Sequence, residues 1–237
     1  MFASTGNPPR MAHFDLDSID RLLTTTKAVR RRLDFERPVP RDVVVECVRL
    51  ACHAPNASNA QEWRWVLVDD PEQKRRVAEV YREILVPRVS QMRATKAAAG
   101  DAAGTRISES ILYLADHLHE APVLVLPCYD VEAALRRYHT LIPDPGPYGL
   151  SSQMDSGMFA SVLPAVWSFQ LALRSRGLAS ALTTAHQLDQ PAMAKVLDLP
   201  ESWFQTALIP VAYPKGEDFS PPPRRPVEEV VFWNRGP

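Results

Sequence analysis

Four uncharged hydrogen-bonding side chains crowd one short stretch, which reads HAPNASNAQEWRWVLV over residues 53–68. They are Asn56, Ser58, Asn59 and Gln61, and an aromatic and β-branched run follows them directly. Amide and hydroxyl groups can both donate and accept hydrogen bonds without adding charge. The stretch therefore favours either a loop that binds a small polar ligand or an ordinary polar turn ahead of a buried strand.

Two clusters of arginine suggest a second kind of chemistry. Arg30, Arg31 and Arg32 are consecutive, and Arg224 with Arg225 lies in the proline-rich end of the chain. Guanidinium groups match the oxygens of a phosphate, so the first cluster could bind one and the second could complete the site. A solvated basic surface is an equally open interpretation of such a run.

Several enzyme classes lack their motifs here. The sequence contains no GxGxxG, no GxxxxGK[ST] and no GxSxG, which argues against a dinucleotide-binding Rossmann domain, a P-loop and a nucleophile elbow. His117 and His119 are two residues apart, and on a helix they would point to different faces rather than to one metal ion. His186 is a candidate proton donor, although a surface histidine is the more ordinary interpretation.

Length and composition indicate a single globular domain over residues 1–237. Hydrophobic residues make up 46% of the chain and charged residues 23%, with a net charge of -1, so nucleic acid is not an expected partner. Uninterrupted apolar runs fall short of the roughly 18 residues that cross a bilayer, and the first residues lack a signal-peptide pattern. We therefore expect a cytoplasmic protein that does not enter the membrane.

Apolar periodicity and turn residues predict an α+β fold, because helices and strands alternate without a regular βαβ series. The predicted helices cover 17–23, 41–54, 71–84, 108–119, 159–175 and 191–197. The predicted strands cover 63–68, 123–128, 178–184 and 206–213. Residues 1–15 are expected to be flexible, 86–106 to form a mobile lid, 144–157 to be a loop, and 214–237 to be an extended tail.

With these residues in view, the chain resembles the FMN-dependent nitroreductase family, and within it the actinobacterial-type NAD(P)H nitroreductase branch with RRLDF. APNASNAQEWRWVLV is similar to the family segment A-P-S-x-x-N-x-Q-P-W. Similar segments follow in the family's order, namely ALRSRGLASALTT, LIPVAYPKGE and RRPVEEVV. Asn56 replaces a usual serine and Glu62 a usual proline, and Ala28 falls where the resemblance implies a phosphate-binding serine.

The resemblance implies a mixed β-sheet flanked by helices, in an intertwined homodimer whose tail embraces the partner subunit. It also implies bound FMN, with the phosphate and ribityl chain held by Arg30, Arg31, Arg32, Arg224 and Arg225. The ring and its ribityl chain would contact Asn56, Ser58, Asn59 and Gln61. Leu182, Thr183 and Thr184 would lie beside N5 and O4 of the ring, and no residue would act as catalyst in its own right.

The activity implied is a ping-pong reduction of a small-molecule electron acceptor. NADPH or NADH would pass a hydride to flavin N5, and a nitroaromatic or quinone-like acceptor would then take it. Reductive dehalogenation, oxygen-dependent breakdown of the flavin and non-catalytic flavin storage are alternatives on the same fold. A further alternative is that the protein binds a different anion and no flavin.

Overall fold

The computed structural model describes residues 14–141, 149–216 and 218–236. Within those ranges the helices are α1 (Leu16–Thr25), α2 (Arg41–Ala51), α3 (Pro71–Ala98), α4 (Ala102–His117), α5 (Val131–Leu141), α6 (Gly149–Ser175) and α7 (Gln190–Leu197). The strands are β1 (Leu33–Asp34), β2 (Trp63–Val68), β3 (Val123–Asp130), β4 (Ala179–Ser180), β5 (Trp203–Gln205) and β6 (Ile209–Pro214). The expected flexibility of residues 1–15 falls almost wholly outside this part of the chain.

The six strands form one sheet in the order β1-β6-β3-β2, with β4 also paired to β6 and β5 to β3. Each of these pairings is antiparallel. The α+β class is confirmed, but the mixed sheet implied by the resemblance is not what these strands form. Two helices, α3 and α4, connect β2 to β3. The first runs opposite to β2 and the second runs parallel to it, so β3 runs antiparallel to β2.

The central strand β3 divides the core into two layers. Its residues alternate, so Leu124 and Leu126 face one cluster while Val123 and Val125 face the other. Helices α3 and α4 cover the first face, and α2 and α6 cover the second. A 20-residue stretch of α6 is long and apolar enough to span a membrane, but half of it is buried in the protein, as in a core helix.

The segment 86–106 is helical, which corrects the expectation of an irregular segment. Helix α3 continues past Ile84 to Ala98, and only three residues separate it from the start of α4. Gly100 has a φ of +70°, and the Asp101 carboxylate caps α4 by accepting from the Gly104 amide at 2.8 Å. Packing of α3 against α4 stabilises this helical hairpin. Because that packing does not depend on the weak apolar periodicity of the segment, the periodicity did not predict the helices. Its role as a lid remains a prediction.

Two further boundaries differ from the sequence-based expectation. Helix α6 begins at Gly149, so the predicted loop 144–157 is helical over its second half, while residues 142–148 lie outside the described part. Helix α5 was not predicted, yet it has a capping signal, because the Asp130 carboxylate accepts from the Ala133 amide at 3.0 Å. This helix begins directly at the end of β3, which left no turn residues to mark it.

Candidate functional site

The three consecutive arginines fan out because their neighbours are anchored. The Val29 amide donates to the Ser180 carbonyl at 2.9 Å, and the Leu33 side chain is completely buried. Between these two anchors the chain has no regular structure, so each guanidinium takes a different direction. The cluster predicted from the sequence therefore does not act as one basic patch.

Arg30 is the arginine of the cluster that lacks a partner. It is partly buried against Tyr81 of α3, and burial lowers the pKa of its guanidinium. Among the described residues its guanidinium makes neither a hydrogen bond nor an ion pair, while its carbonyl accepts from the Leu33 amide at 3.2 Å. A partly buried guanidinium without a described partner can accept an anion as its partner, so Arg30 is the candidate anion-binding residue of the cluster.

The other two arginines are engaged elsewhere. Arg31 is exposed and lies over the Tyr113 ring, 5.5 Å from its centroid. Arg32 donates from Nε to the Lys215 carbonyl at 2.9 Å and pairs through Nη2 with Asp218 at 2.7 Å. Arg32 thus ties down the start of the C-terminal segment, and in this chain it does not share a ligand with Arg30.

The Thr183 segment lies next to Arg30 through a shared neighbour. The buried Thr183 hydroxyl is beside the Tyr81 phenol without reaching full hydrogen-bond geometry, and it favours the ionised form of that phenol. Burial nevertheless raises the pKa of Tyr81. The Thr183 amide donates to the Leu208 carbonyl at 3.0 Å, so its main-chain donor is already used. Leu182 packs in the core, and Thr184 is exposed.

The predicted polar loop holds itself in shape. The side-chain oxygen of Asn56 accepts from the Gln61 amide at 3.0 Å, and Gln61 Nε2 donates to Asn59 Oδ1 at 3.2 Å. Ser58, Asn59 and Gln61 have φ values of +53°, +52° and +57°. Three non-glycine residues in the left-handed region within four positions are unusual, and such backbones concentrate at ligand sites.

The loop and Arg30 lie at opposite edges of the sheet. Arg30 comes just before β1 and the 56–61 loop just before β2, and these strands are the two ends of the order β1-β6-β3-β2. Three strand spacings separate those edges, about 14 Å. Within one chain, Arg30 and Thr183 both interact electrostatically with Tyr81, whereas the loop lies at the other edge of the sheet.

The second arginine cluster does not join the first within the chain. Arg224 and Arg225 are both exposed, and Arg224 donates to the carbonyl of the adjacent Pro223 at 3.0 Å. Asp218, rather than either of these arginines, is the group that reaches Arg32. No hydrogen bond or ion pair among the described residues links Arg224 or Arg225 to the first cluster, and their convergence on one phosphate stays a prediction.

His186 is buried rather than exposed, contrary to the ordinary interpretation of a histidine in this position. Its side chain has no accessible surface, and neither ring nitrogen has a hydrogen-bond partner in the described part of the chain. Burial lowers its pKa to about 4. The imidazole is therefore neutral at pH 7, which makes it a poor source of protons.

The comparisons with known proteins agree with this fold. A model of the nitroreductase family matches residues 24–213. The chain belongs to the nitroreductase family. The match starts at the end of α1 and includes Arg30, the 56–61 loop and Thr183, and it ends inside β6.

Two curated relatives lie at moderate distance from this nitroreductase-family chain. It is 28% identical to an NADH dehydrogenase of Thermus thermophilus over 211 residues, which cover 83% of this chain and 87% of that protein. It is 26% identical to the iodotyrosine deiodinase of Drosophila melanogaster over 179 residues, which are 73% of this chain and 54% of the deiodinase. Family and relatives together support an oxidoreductase; the actinobacterial-type branch stays a prediction.

A solved structure is similar to this family member over almost the whole chain. An iodotyrosine deiodinase bound to FMN and 3-iodo-L-tyrosine superimposes with a TM-score of 0.65 at 24% identity. The superposition covers 92% of this chain and 100% of the deiodinase chain. At that identity, the likeness establishes the shared fold.

Sequence reasoning about this nitroreductase-family chain missed the role of Tyr81. The residue lies at 1% exposure on the buried face of α3, where Val77, Tyr81 and Leu85 recur at helical spacing. That spacing could have placed Tyr81 on the core side of α3. It could not have shown that Arg30 and Thr183 both meet this one phenol, because these residues are far apart in the sequence.

Proposed function

We propose that this chain is an FMN-dependent oxidoreductase that uses NADPH or NADH to reduce nitroaromatic or quinone-like acceptors. The observation that carries the proposal is Arg30, a partly buried guanidinium without an anion in the described part of the chain. The flavin, when bound, supplies the hydride transfer through its N5 atom, and protein residues supply binding and orientation.

The described residues fit such a group. Arg30 offers charge-assisted hydrogen bonds to a phosphate, or to the N1 and O2 edge where the reduced ring gathers negative charge. The Thr183 hydroxyl is a donor beside it that is not in full hydrogen-bond geometry with any described residue. The 56–61 loop presents uncharged donors and acceptors, which suit the ring's mixed edge. We assign Arg31, Arg32, Arg224 and Arg225 to secondary roles at most.

We further propose that the complete site forms in a homodimer. Arg30 and the 56–61 loop lie at opposite edges of one sheet, so a second copy could bring its loop to the first copy's Arg30. The chain also exposes large apolar side chains on α6 and in the tail, which two copies could cover. These are Leu163, Trp167, Val230, Phe232 and Trp233.

Reductive dehalogenation is the second candidate, and it is supported by the likeness to two iodotyrosine deiodinases. The side chains of α3 that could grip such a substrate are those of Glu79, Tyr81, Glu83 and Lys96. Tyr81 is buried in the core, and Lys96 pairs with Asp101 at 2.9 Å. Neither is free to meet a zwitterionic substrate, so we rank nitroaromatic or quinone reduction above it.

Anaerobic stopped-flow absorbance tests the proposal. The protein is purified, saturated with FMN and mixed with NADPH or NADH, and the flavin band is followed. We expect one of the two nucleotides to bleach the bound flavin and a nitroaromatic or quinone to restore the colour. A protein that takes up no FMN contradicts the flavin assignment, and bound flavin that neither nucleotide bleaches points to storage.

A further inference from the structure

A buried carboxylate lies directly behind the 56–61 loop. Glu62 is 6% exposed, and it occupies the position where the similar family segment has proline. The Tyr129 hydroxyl, at the end of β3, donates to Glu62 Oε2 at 2.8 Å. Arg137 of α5 approaches from the other side, with its Nε 3.4 Å from Glu62 Oε1. A buried carboxylate of this kind needs both partners to offset its lost hydration.

Arg137 connects Glu62 to the 56–61 loop. Its Nη1 donates to the Ser58 carbonyl at 3.3 Å. The same peptide unit is held from its other side, because the Asn59 amide donates to the Asn56 carbonyl at 3.2 Å. Ser58 and Asn59 both lie in the left-handed region, where L residues stay only if their surroundings hold them.

We infer that Glu62 and Arg137 form a brace that fixes the 56–61 loop for flavin binding, and that both are positioning residues. Proline would stiffen position 62 through its ring, whereas here a side-chain ion pair ties the loop to α5. The Glu62 carbonyl also accepts from the Asp130 amide at 2.8 Å, so its backbone is fixed as well. This inference rests on the proposed function, since it presupposes that the loop meets FMN.

A double-mutant cycle tests the brace, with Glu62→Gln, Arg137→Gln and the combined variant. Each single change should weaken FMN binding about ten-fold, the usual scale for a hydrogen bond to a charged group. The combined variant should lose no more than either single one, because both remove the same contact. Flavin fluorescence titration gives the affinities, and additive losses or unchanged affinity would overturn the inference.

Amide hydrogen exchange of the FMN-free protein gives a readout that does not depend on the cofactor. In both single variants the amides of residues 57–61 should exchange about ten-fold faster, while those of β3 keep the wild-type rate. Arg136→Gln is the matched control, because Arg136 is the next residue on α5 and pairs with the exposed Glu132. Unchanged loop exchange in both single variants would refute the brace.

The outcome for the wild-type protein separates the two proposals. If the wild type binds FMN and NAD(P)H bleaches it while the variants behave like wild type, only the brace is wrong. If the wild type takes up no FMN, the proposed function fails first. Should Glu62→Gln fold poorly, Arg137→Gln still decides, because it alters a half-exposed side chain rather than a buried one.

Discussion

Two partly or wholly buried ionisable side chains respond differently to burial at the scale of single residues. Arg30 keeps its charge without a described anion, and His186 gives its charge up. The difference follows from their ordinary pKa values, since burial can neutralise an imidazole easily and a guanidinium hardly at all. The charge that Arg30 retains favours binding of an anionic ligand. The neutral imidazole of His186 lowers the stability of the protein only at a pH where the unfolded chain binds the proton.

Replacing Arg30 should weaken flavin binding with little effect on the fold. Arg30→Ala removes charge-assisted hydrogen bonds to the cofactor, so the dissociation constant for FMN should rise about ten- to one hundred-fold. Fluorescence titration measures it. Arg31→Ala is the matched control, because that neighbour is exposed and contacts Tyr113 instead. Equal effects of the two changes would refute the special role of Arg30.

Acid should destabilise the protein through His186. Its pKa falls from 6.5 to about 4 on folding, so only the unfolded chain gains this proton between those values. The stability is present above about pH 6.5 and is lost as the pH falls toward 4, by about 2 kcal/mol at pH 5.

Urea unfolding at pH 7 and pH 5 measures this loss. His186→Met should remove that part of the pH dependence, because methionine fills the site without a titrating group. The exposed His53 supplies the control, and His53→Gln should keep the wild-type difference between the two pH values. A His186→Met protein with the full wild-type pH dependence would contradict the assignment.

At the scale of elements, packing between α3 and α4 makes the segment 86–106 helical. Its sequence is rich in alanine and polar residues, which suggested mobility, but its two halves pack as the ends of α3 and α4. An ion pair between Arg93 and Glu109, 3.8 Å apart, spans the two helices. A helical hairpin can still shape an acceptor pocket, and its role as a lid stays a prediction.

The cap of α4 should matter to this hairpin. Asp101→Ala removes the acceptor for the Gly104 amide, and we expect a lower urea midpoint for unfolding. Exchange of the Gly104 and Thr105 amides should rise at the same time. Asp101→Asn should stay close to wild type, because asparagine caps as well as aspartate does. If both variants lost the same stability, the Lys96 ion pair rather than the cap would be responsible.

At the scale of the whole molecule, the candidate site residues fall into two groups at opposite edges of the sheet, and their separation supports the proposed dimer. One copy supplies Arg30 and Thr183 at one edge and the 56–61 loop at the other. Apolar side chains remain exposed on α6 and in the tail, including Trp233 at 85%. A closed dimer with two-fold symmetry would complete two identical sites at once, which is the usual outcome for a self-complementary surface.

Mixing two defective chains tests this arrangement. Arg30→Ala and Asn59→Ala variants are coexpressed with different tags, and flavin content is compared with either variant alone. If each site takes residues from both copies, random pairing should restore about one quarter of the wild-type sites, because half of the dimers are mixed and each has one intact site. No recovery would mean that each chain builds its site alone.

The sequence by itself determined the α+β class, the family and the polar loop as a candidate site. These depend on local periodicity, on turn residues and on short motifs, all of which lie within a few neighbouring positions. It also marked Asn56 and Glu62 as unusual, without showing what either side chain does. The helical hairpin escaped it because packing of α3 against α4 stabilises the hairpin more than local propensity does, and α5 escaped it because no turn residues separate α5 from β3.

Only the tertiary structure decided which arginine lacks a partner and which side chains hold the loop. Arg30, Arg31 and Arg32 are equivalent as letters, and they differ because Tyr81, Tyr113 and Asp218 approach them from elsewhere in the chain. The Glu62–Arg137 contact likewise joins residues 75 positions apart. Long-range contacts of this kind depend on how the sheet and helices pack, and no local pattern in the sequence encodes them.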